Sequence, residues 1–241
     1  MANDTPMLAN RVYSITRKLF GWAVEQEIIE VSPFVGLKAP AEESSRDRIL
    51  TDQELRLVWR AAGQMGVYGG LVRALIVTGQ RRGEIAGLTW DELNLNERLI
   101  SLPRERVKNN HAHEIPLSPQ AVALIEALPR NSEQYVFSLD GGPIINFVRL
   151  KERLDKLCGV TDWVLHDLRR TAVSGMARLG VGLPVIEKVV NHVSGSFAGI
   201  VSVYQKHDFA GEKKKALELW GAHVESIVSV RPAKVKVVKL R

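Results

Sequence analysis

The chain has 241 residues, 45% of them apolar and 25% charged, with a formal net charge of +6; that is room for one large domain with a real core. No apolar run reaches the roughly 18 residues of a membrane span, and the start Met1-Ala2-Asn3-Asp4-Thr5 lacks the basic-then-apolar layout of a secretory signal. The single cysteine, Cys158, excludes an internal disulfide and fits a reducing cytoplasm as a small core residue, while the positive balance favours a polyanionic partner, chiefly nucleic acid.

Residues 8–27 predict an amphipathic helix, with Leu8, Val12, Ile15, Leu19 and Trp22 at helical spacing and Arg11, Arg17 and Lys18 on the polar side. One helix cannot bury its own stripe, so this one must pack on something else. The proline-, serine- and acid-rich stretch that follows reads as a linker. Thr51-Asp52-Gln53-Glu54 is a capping box that opens a helix, and the compact domain begins there. The pattern from 52 to 90 is helical, with Gly79 placed to end one helix before another starts near Arg81. Leu99–Leu102 and Glu114–Leu117 read as strands flanking a polar hairpin, hence a small antiparallel sheet inserted among helices. Ser118-Pro119 starts a helix that ends near Pro129, and further helices are expected at about 144–157, 166–180, 184–191 and 208–228. The fold class is therefore mostly α with a small antiparallel β-sheet. The division is residues 1–35 as a helix, 36–50 as linker, 51–228 as the main domain and 229–241 as a basic tail. That tail holds five cations and no acid from Arg231 onward; the alternation Lys234-Val235-Lys236-Val237 suits an edge strand as well as it suits disorder.

The candidate chemistry is scattered. Arg81 lies in Thr78-Gly79-Gln80-Arg81-Arg82-Gly83-Glu84, His166 and Arg169 in His166-Asp167-Leu168-Arg169-Arg170, His192 in Asn191-His192 and Tyr204 in Val203-Tyr204-Gln205. Taken singly, each is ordinary: an exposed helix arginine, a solvated edge, a packing tyrosine. In this order and spacing they resemble the catalytic signature of the tyrosine recombinases, the phage-integrase family, over about residues 48–222. The segment Asn191 to Tyr204 is similar to prophage and genomic-island integrases in particular. It departs from the common Leu-Gly-His pattern in having Asn191 where many members have glycine, and its interval from His192 to Tyr204 is longer than in the simplest members.

The resemblance implies DNA cleavage and rejoining through a 3′-phosphotyrosyl link, with no metal, ATP or other cofactor. Tyr204 is the implied nucleophile. Arg81 and Arg169 would clamp the non-bridging phosphate oxygens, since the guanidinium fork matches phosphate and stays charged. His166 is expected as the general base and His192 as a hydrogen-bond donor to phosphate. The family places a general-acid lysine on the hairpin between the two strands, which makes Lys108 the expected acid, with Arg104, Arg106 and Lys151 as rivals. Glu84 is expected to orient hydrogen bonds. The implied partners are double-stranded DNA attachment sites, a homotetramer on DNA, accessory DNA-bending proteins and an excision factor, in the bacterial cytoplasm at the nucleoid. A C-terminal segment, the helix near 212–228 or the tail, is expected to dock on a neighbouring protomer.

Family members carry a helical core-binding domain before the catalytic one. Residues 1–35 resemble its last helix, so a fragment with weak, salt-sensitive DNA binding is expected. Three rival readings remain: a type IB topoisomerase-like enzyme that relaxes supercoils, a non-catalytic DNA-binding module, and a metal hydrolase on His111-Ala112-His113-Glu114. The last has no third ligand in view, and its histidine pair is expected to line a flexible hairpin.

Overall fold

In the computed structural model, residues 5–42, 46–192 and 209–229 are described. The chain forms two compact units, Met1–Asp47 and Arg48–Arg241. In the first, helix α1 (Pro6–Glu25) starts with proline in its first turn. Met7, Leu8, Val12, Ile15, Leu19 and Trp22 stand exposed along it. On its other side Asn10 is buried and exchanges two hydrogen bonds with the backbone of Ala41, at 2.8 and 2.9 Å. The Tyr13 hydroxyl donates to Leu37 O, and Phe34 packs between the rings of Tyr13 and Phe20. The proline-rich stretch is thereby tied back along its own helix.

The second unit is mostly helical, with one three-stranded antiparallel sheet. Helix α2 (Asp52–Ala62) opens on the expected capping box: Thr51 Oγ1 accepts from the Glu54 amide, and the Glu54 carboxylate accepts from the Thr51 amide. Arg48 grips the same carboxylate, holding it down at about 2. Helix α3 (Gly66–Thr78) is apolar almost all round because α2 and the helices Pro119–Glu126, Leu165–Arg178 and Ala210–Ser229 surround it. It ends at Gly79, whose φ of +65° suits glycine and where an added Cβ would lie 3.0 Å from that of Ala172. The next helix, α4 (Arg82–Ala86), has Arg81 as its N-cap.

The sheet runs β1 (Leu93–Asn94), β2 (Leu99–Leu102), β3 (His113–Pro116), in that order. Ile100 faces Ile115 and Leu102 faces His113, all four buried, while Ser101 and Glu114 are exposed. The short β1 carries no alternation from which it could be read. Helix α5 (Pro119–Glu126) follows its Ser118 cap. A stretch without helices, 127–146, is pinned by Val136 N to Leu88 O and buries Phe137 completely. Helices α6 (Phe147–Cys158), α7 (Leu165–Arg178) and α8 (Leu183–Val189) come within a few residues of their expected limits, and Cys158 is buried in the core.

Helix α9 (Ala210–Ser229) closes the unit. It buries Lys213, Ala216, Leu217, Trp220, Gly221, Val224 and Ile227, and Trp220 donates from its indole to Ile76 O at 2.8 Å. That face is filled by its own unit, while Glu212, Lys214, Lys215 and Glu225 stand exposed along the helix. The tail 230–241, including the expected edge strand, lies outside the described residues.

Candidate functional site

Three chain segments converge at one corner of the second unit: the turn from α3 into α4, the start of α7, and the C-terminal end of α8. Gly79 lets the chain turn sharply after α3, so that Arg81 caps α4 with an extended backbone. Its guanidinium donates to Glu84 Oε1 at 2.8 Å and to Asn191 O at 3.0 Å. Glu84 is buried, 4% exposed, and orients Arg81 as expected.

Arg169, four residues into α7, is 7% exposed. It donates to Gly79 O at 3.3 Å and to Val190 O. Arg81 and Arg169 therefore reach consecutive carbonyls, those of Asn191 and Val190, immediately before His192. Burial, and then the neighbouring Arg81, pull the Arg169 guanidinium down to about 10, which still leaves it charged at neutral pH. His166 lies one turn earlier on the same helix and is exposed on one side; partial desolvation of its ring against the protein, then Arg170 and Arg169, lower it below its usual value. The α7 start is held by Asp167, whose carboxylate accepts from the Val164 amide at 2.9 Å and pairs with Arg170 at 2.7 Å. His192 is exposed, its amide donating to Glu187 O at 2.8 Å. The corner thus brings the guanidiniums of Arg81 and Arg169 to adjacent carbonyls, with His166 one turn before Arg169 and His192 next in the chain, residue types suited to a phosphate.

Lys108 is exposed on the hairpin between β2 and β3. The rival donors are engaged elsewhere. Arg104 pairs with Glu105. Arg106 is held by Glu92 and by the carbonyls of Glu84 and Gly87. Lys151 is clamped by Asp155 and Trp163 O and stacks 3.8 Å from the Trp163 ring centre. Tyr204 lies outside the described residues.

The reading of His111 and His113 as a pair is corrected. His113 is a β3 residue, 4% exposed, with Nε2 3.1 Å from Gln80 Oε1, while His111 is exposed. Burial, followed by Lys213, Arg169 and Arg81, pushes His113 down to about 3, so it is neutral at physiological pH. No group of three or more metal-ligating side chains occurs among the described residues.

Sequence reasoning missed the polar strut beneath the site. Gln80 donates to Thr78 O and Val189 O, both at 2.9 Å, and its Oε1 accepts from His113 Nε2 at 3.1 Å; Lys213 Nζ donates to Glu114 O. The only signal for Gln80 was its place beside Arg81. A buried histidine in a short strand carries none.

A helical unit with this small sheet and this basic corner has the catalytic-domain fold of tyrosine recombinases. The chain belongs to the phage integrase family, whose profile matches residues 49–210. It is 29% identical over 180 residues to a shufflon-specific DNA recombinase of Escherichia coli, covering 73% of this chain and 46% of that protein. Its fold matches a lambda integrase (75–356) dimer bound to a COC′ core site, at a TM-score of 0.62 and 17% identity, over 79% of this chain and 73% of that one. A lambda integrase tetramer bound to a Holliday junction matches at 0.61 and 18% identity, over 80% and 61%. The chain spans 46% of the length of that shufflon recombinase, and between 41% and 68% of the length of others among the curated relatives it matches. No helix among the described residues is long and apolar enough to cross a membrane.

Proposed function

We propose that this chain is the catalytic part of a site-specific DNA recombinase that cuts and rejoins attachment sites of a prophage or genomic island. The observation that carries the reading is the pair of guanidiniums, Arg81 and Arg169, brought from positions far apart in sequence to consecutive carbonyls beside His192. Two guanidiniums at one corner with the single Glu84 carboxylate leave an excess of positive charge that favours a further anion, and the fork geometry matches the two non-bridging oxygens of a phosphodiester.

In this reading the Tyr204 Oη attacks the scissile phosphorus while His166 takes the hydroxyl proton. The bond from phosphorus to the 5′-oxygen breaks, and Lys108 protonates that oxygen, leaving a 3′-phosphotyrosyl ester and a free 5′-hydroxyl. Arg81, Arg169 and His192 neutralise the charge that builds on the pentacoordinate phosphorus, each such donor contributing about 3 kcal/mol. The ester retains the diester's free energy, so an attacking 5′-hydroxyl reverses the step without ATP. The two solved relatives are bound to DNA as a dimer and a tetramer. By likeness the partner here is double-stranded DNA and the working assembly a homotetramer, aided by DNA-bending proteins and an excision factor, at the nucleoid of a bacterial cell.

The test is covalent capture on a nicked suicide duplex carrying the core attachment site. Wild type is expected to give a slowly migrating adduct on a denaturing gel; Tyr204→Phe should give none, and Arg169→Ala should form it at least about 100-fold more slowly. An adduct that persists in Tyr204→Phe would refute the assignment of the nucleophile.

A further inference from the structure

The hairpin that carries Lys108 is tied at its tip to the residue before His192. Asn109 Nδ2 donates to Asn191 O at 3.0 Å and to Asn191 Oδ1 at 3.1 Å. In return Asn191 Nδ2 lies 3.4 Å from Asn109 Oδ1 and 3.2 Å from His111 O. The carbonyl of Asn191 that receives Asn109 also receives Arg81 at 3.0 Å. Asn191 has a φ of +47°, a conformation that glycine and asparagine tolerate best. Glycine, which the family pattern commonly has at this point, would serve the backbone equally well but would bring none of the side-chain bonds.

We propose that Asn109 and Asn191 form an amide clasp that positions Lys108 for proton transfer to the leaving 5′-oxygen. The inference rests on the reading of the chain as a DNA-cleaving recombinase. Lys108 is bracketed on both sides. Before it, Val107 is 5% exposed and Arg106 is bound to the carbonyls of Glu84 and Gly87. After it, Asn109 is held by Asn191. The lysine side chain is therefore exposed while the backbone on each side is fixed. Without the clasp the hairpin between β2 and β3 would have to be ordered at each reaction, at an entropic cost for every residue fixed. Because Arg81 and Asn109 share one acceptor, the phosphate clamp and the acid-bearing hairpin are referenced to the same atom. Both asparagines are positioning residues that act through Lys108.

The test compares Asn109→Ala, Asn191→Gly and Lys108→Ala with wild type, all in the 241-residue chain, on two nicked suicide duplexes of one sequence. In the second duplex sulphur replaces the bridging 5′-oxygen at the scissile phosphate. When the bond from phosphorus to sulphur breaks, the thiolate leaves with the electron pair and needs no proton, so the general acid is bypassed. On the oxygen duplex, Asn109→Ala and Asn191→Gly should slow adduct formation by about 10- to 100-fold, the scale of a small misplacement of a catalytic group. On the sulphur duplex both should return to within about threefold of wild type, as should Lys108→Ala. Amide hydrogen exchange across residues 107–112 should also speed up in Asn191→Gly. A variant that matches wild type on the oxygen duplex, is equally slow on both duplexes, or keeps full hairpin protection overturns the clasp. Absence of an adduct from wild type on either duplex overturns the functional reading itself, and the inference with it.

Discussion

Buried, neutral His113 gives a pH-dependence that can be worked out from its surroundings. The imidazole is 4% exposed, bonded to Gln80, and faced by the cations Lys213, Arg169 and Arg81. Its folded-state value of about 3 lies well below the 6.5 of an unfolded histidine. Such a group favours the native state above the unfolded value, and that contribution is lost as pH falls, because the unfolded chain takes up a proton the native state refuses. The loss therefore starts near pH 6.5 and continues down to about pH 3. Between pH 7 and pH 5 the native imidazole stays neutral while the unfolded one goes from mostly neutral to mostly charged, a penalty of about 2 kcal/mol. The figure depends little on the folded value so long as that lies well under 5. His113→Gln keeps a hydrogen-bonding group and removes the titration. Denaturant or thermal unfolding of both proteins at pH 7 and pH 5 should show wild type losing about 2 kcal/mol more than the variant, or about 4–8 °C more in Tm. Other histidines titrate in both proteins and cancel in the comparison. Equal losses in wild type and His113→Gln would refute the assignment of a neutral buried imidazole.

Three further outcomes are expected. His166 acts as a base only when neutral, and its surroundings lower its pKa, so the acid limb of the adduct-formation rate should have its midpoint below pH 6.5; a midpoint above that contradicts the role. A Cβ added at Gly175 would lie 2.1 Å from Trp220 Cζ3, so Gly175→Ala should cost about 1–3 kcal/mol and lower Tm by several degrees; an unchanged melt would mean that α7 and α9 do not pack this closely. Glu54→Gln should destabilise the fold by about 1 kcal/mol at pH 7 through the α2 cap and the Arg48 pair. Because that carboxyl is held at about 2, the difference between the two proteins should be full above about 4.5 and fade as pH falls towards 2; a difference that persists at pH 2 would count against it.

How much could be read in advance follows the range of the interactions involved. Helix starts at Thr51 and Ser118, the stop at Gly79 and the strand Leu99–Leu102 are set by contacts within a few residues, so the sequence carries them openly. The two-residue β1 exists only because β2 offers it a partner, and no local pattern announces it. The same holds for the long stretch 127–146, where Phe137 is buried by distant neighbours rather than by any periodicity of its own.

The candidate site divides in the same way. Each residue is ordinary alone, and only the resemblance of their order and spacing to the tyrosine recombinases marks Arg81, His166, Arg169 and His192 as candidates for phosphate chemistry. The sequence also presented Lys108 together with three competing cations. Tertiary structure binds Arg106 and Lys151 to carboxylates and carbonyls, while Lys108 stays exposed, as does Arg104 beside its neighbour Glu105. It also decided that Arg81 and Arg169 share the end of α8, that His113 is a buried strut bonded to Gln80, and that Asn109 meets Asn191. Each of these depends on a pairing between residues many positions apart, which a linear pattern of helix and strand cannot encode. The sequence by itself determined the chemistry available to this protein; the packing of α3, α7, α8 and the hairpin decided which groups face one another.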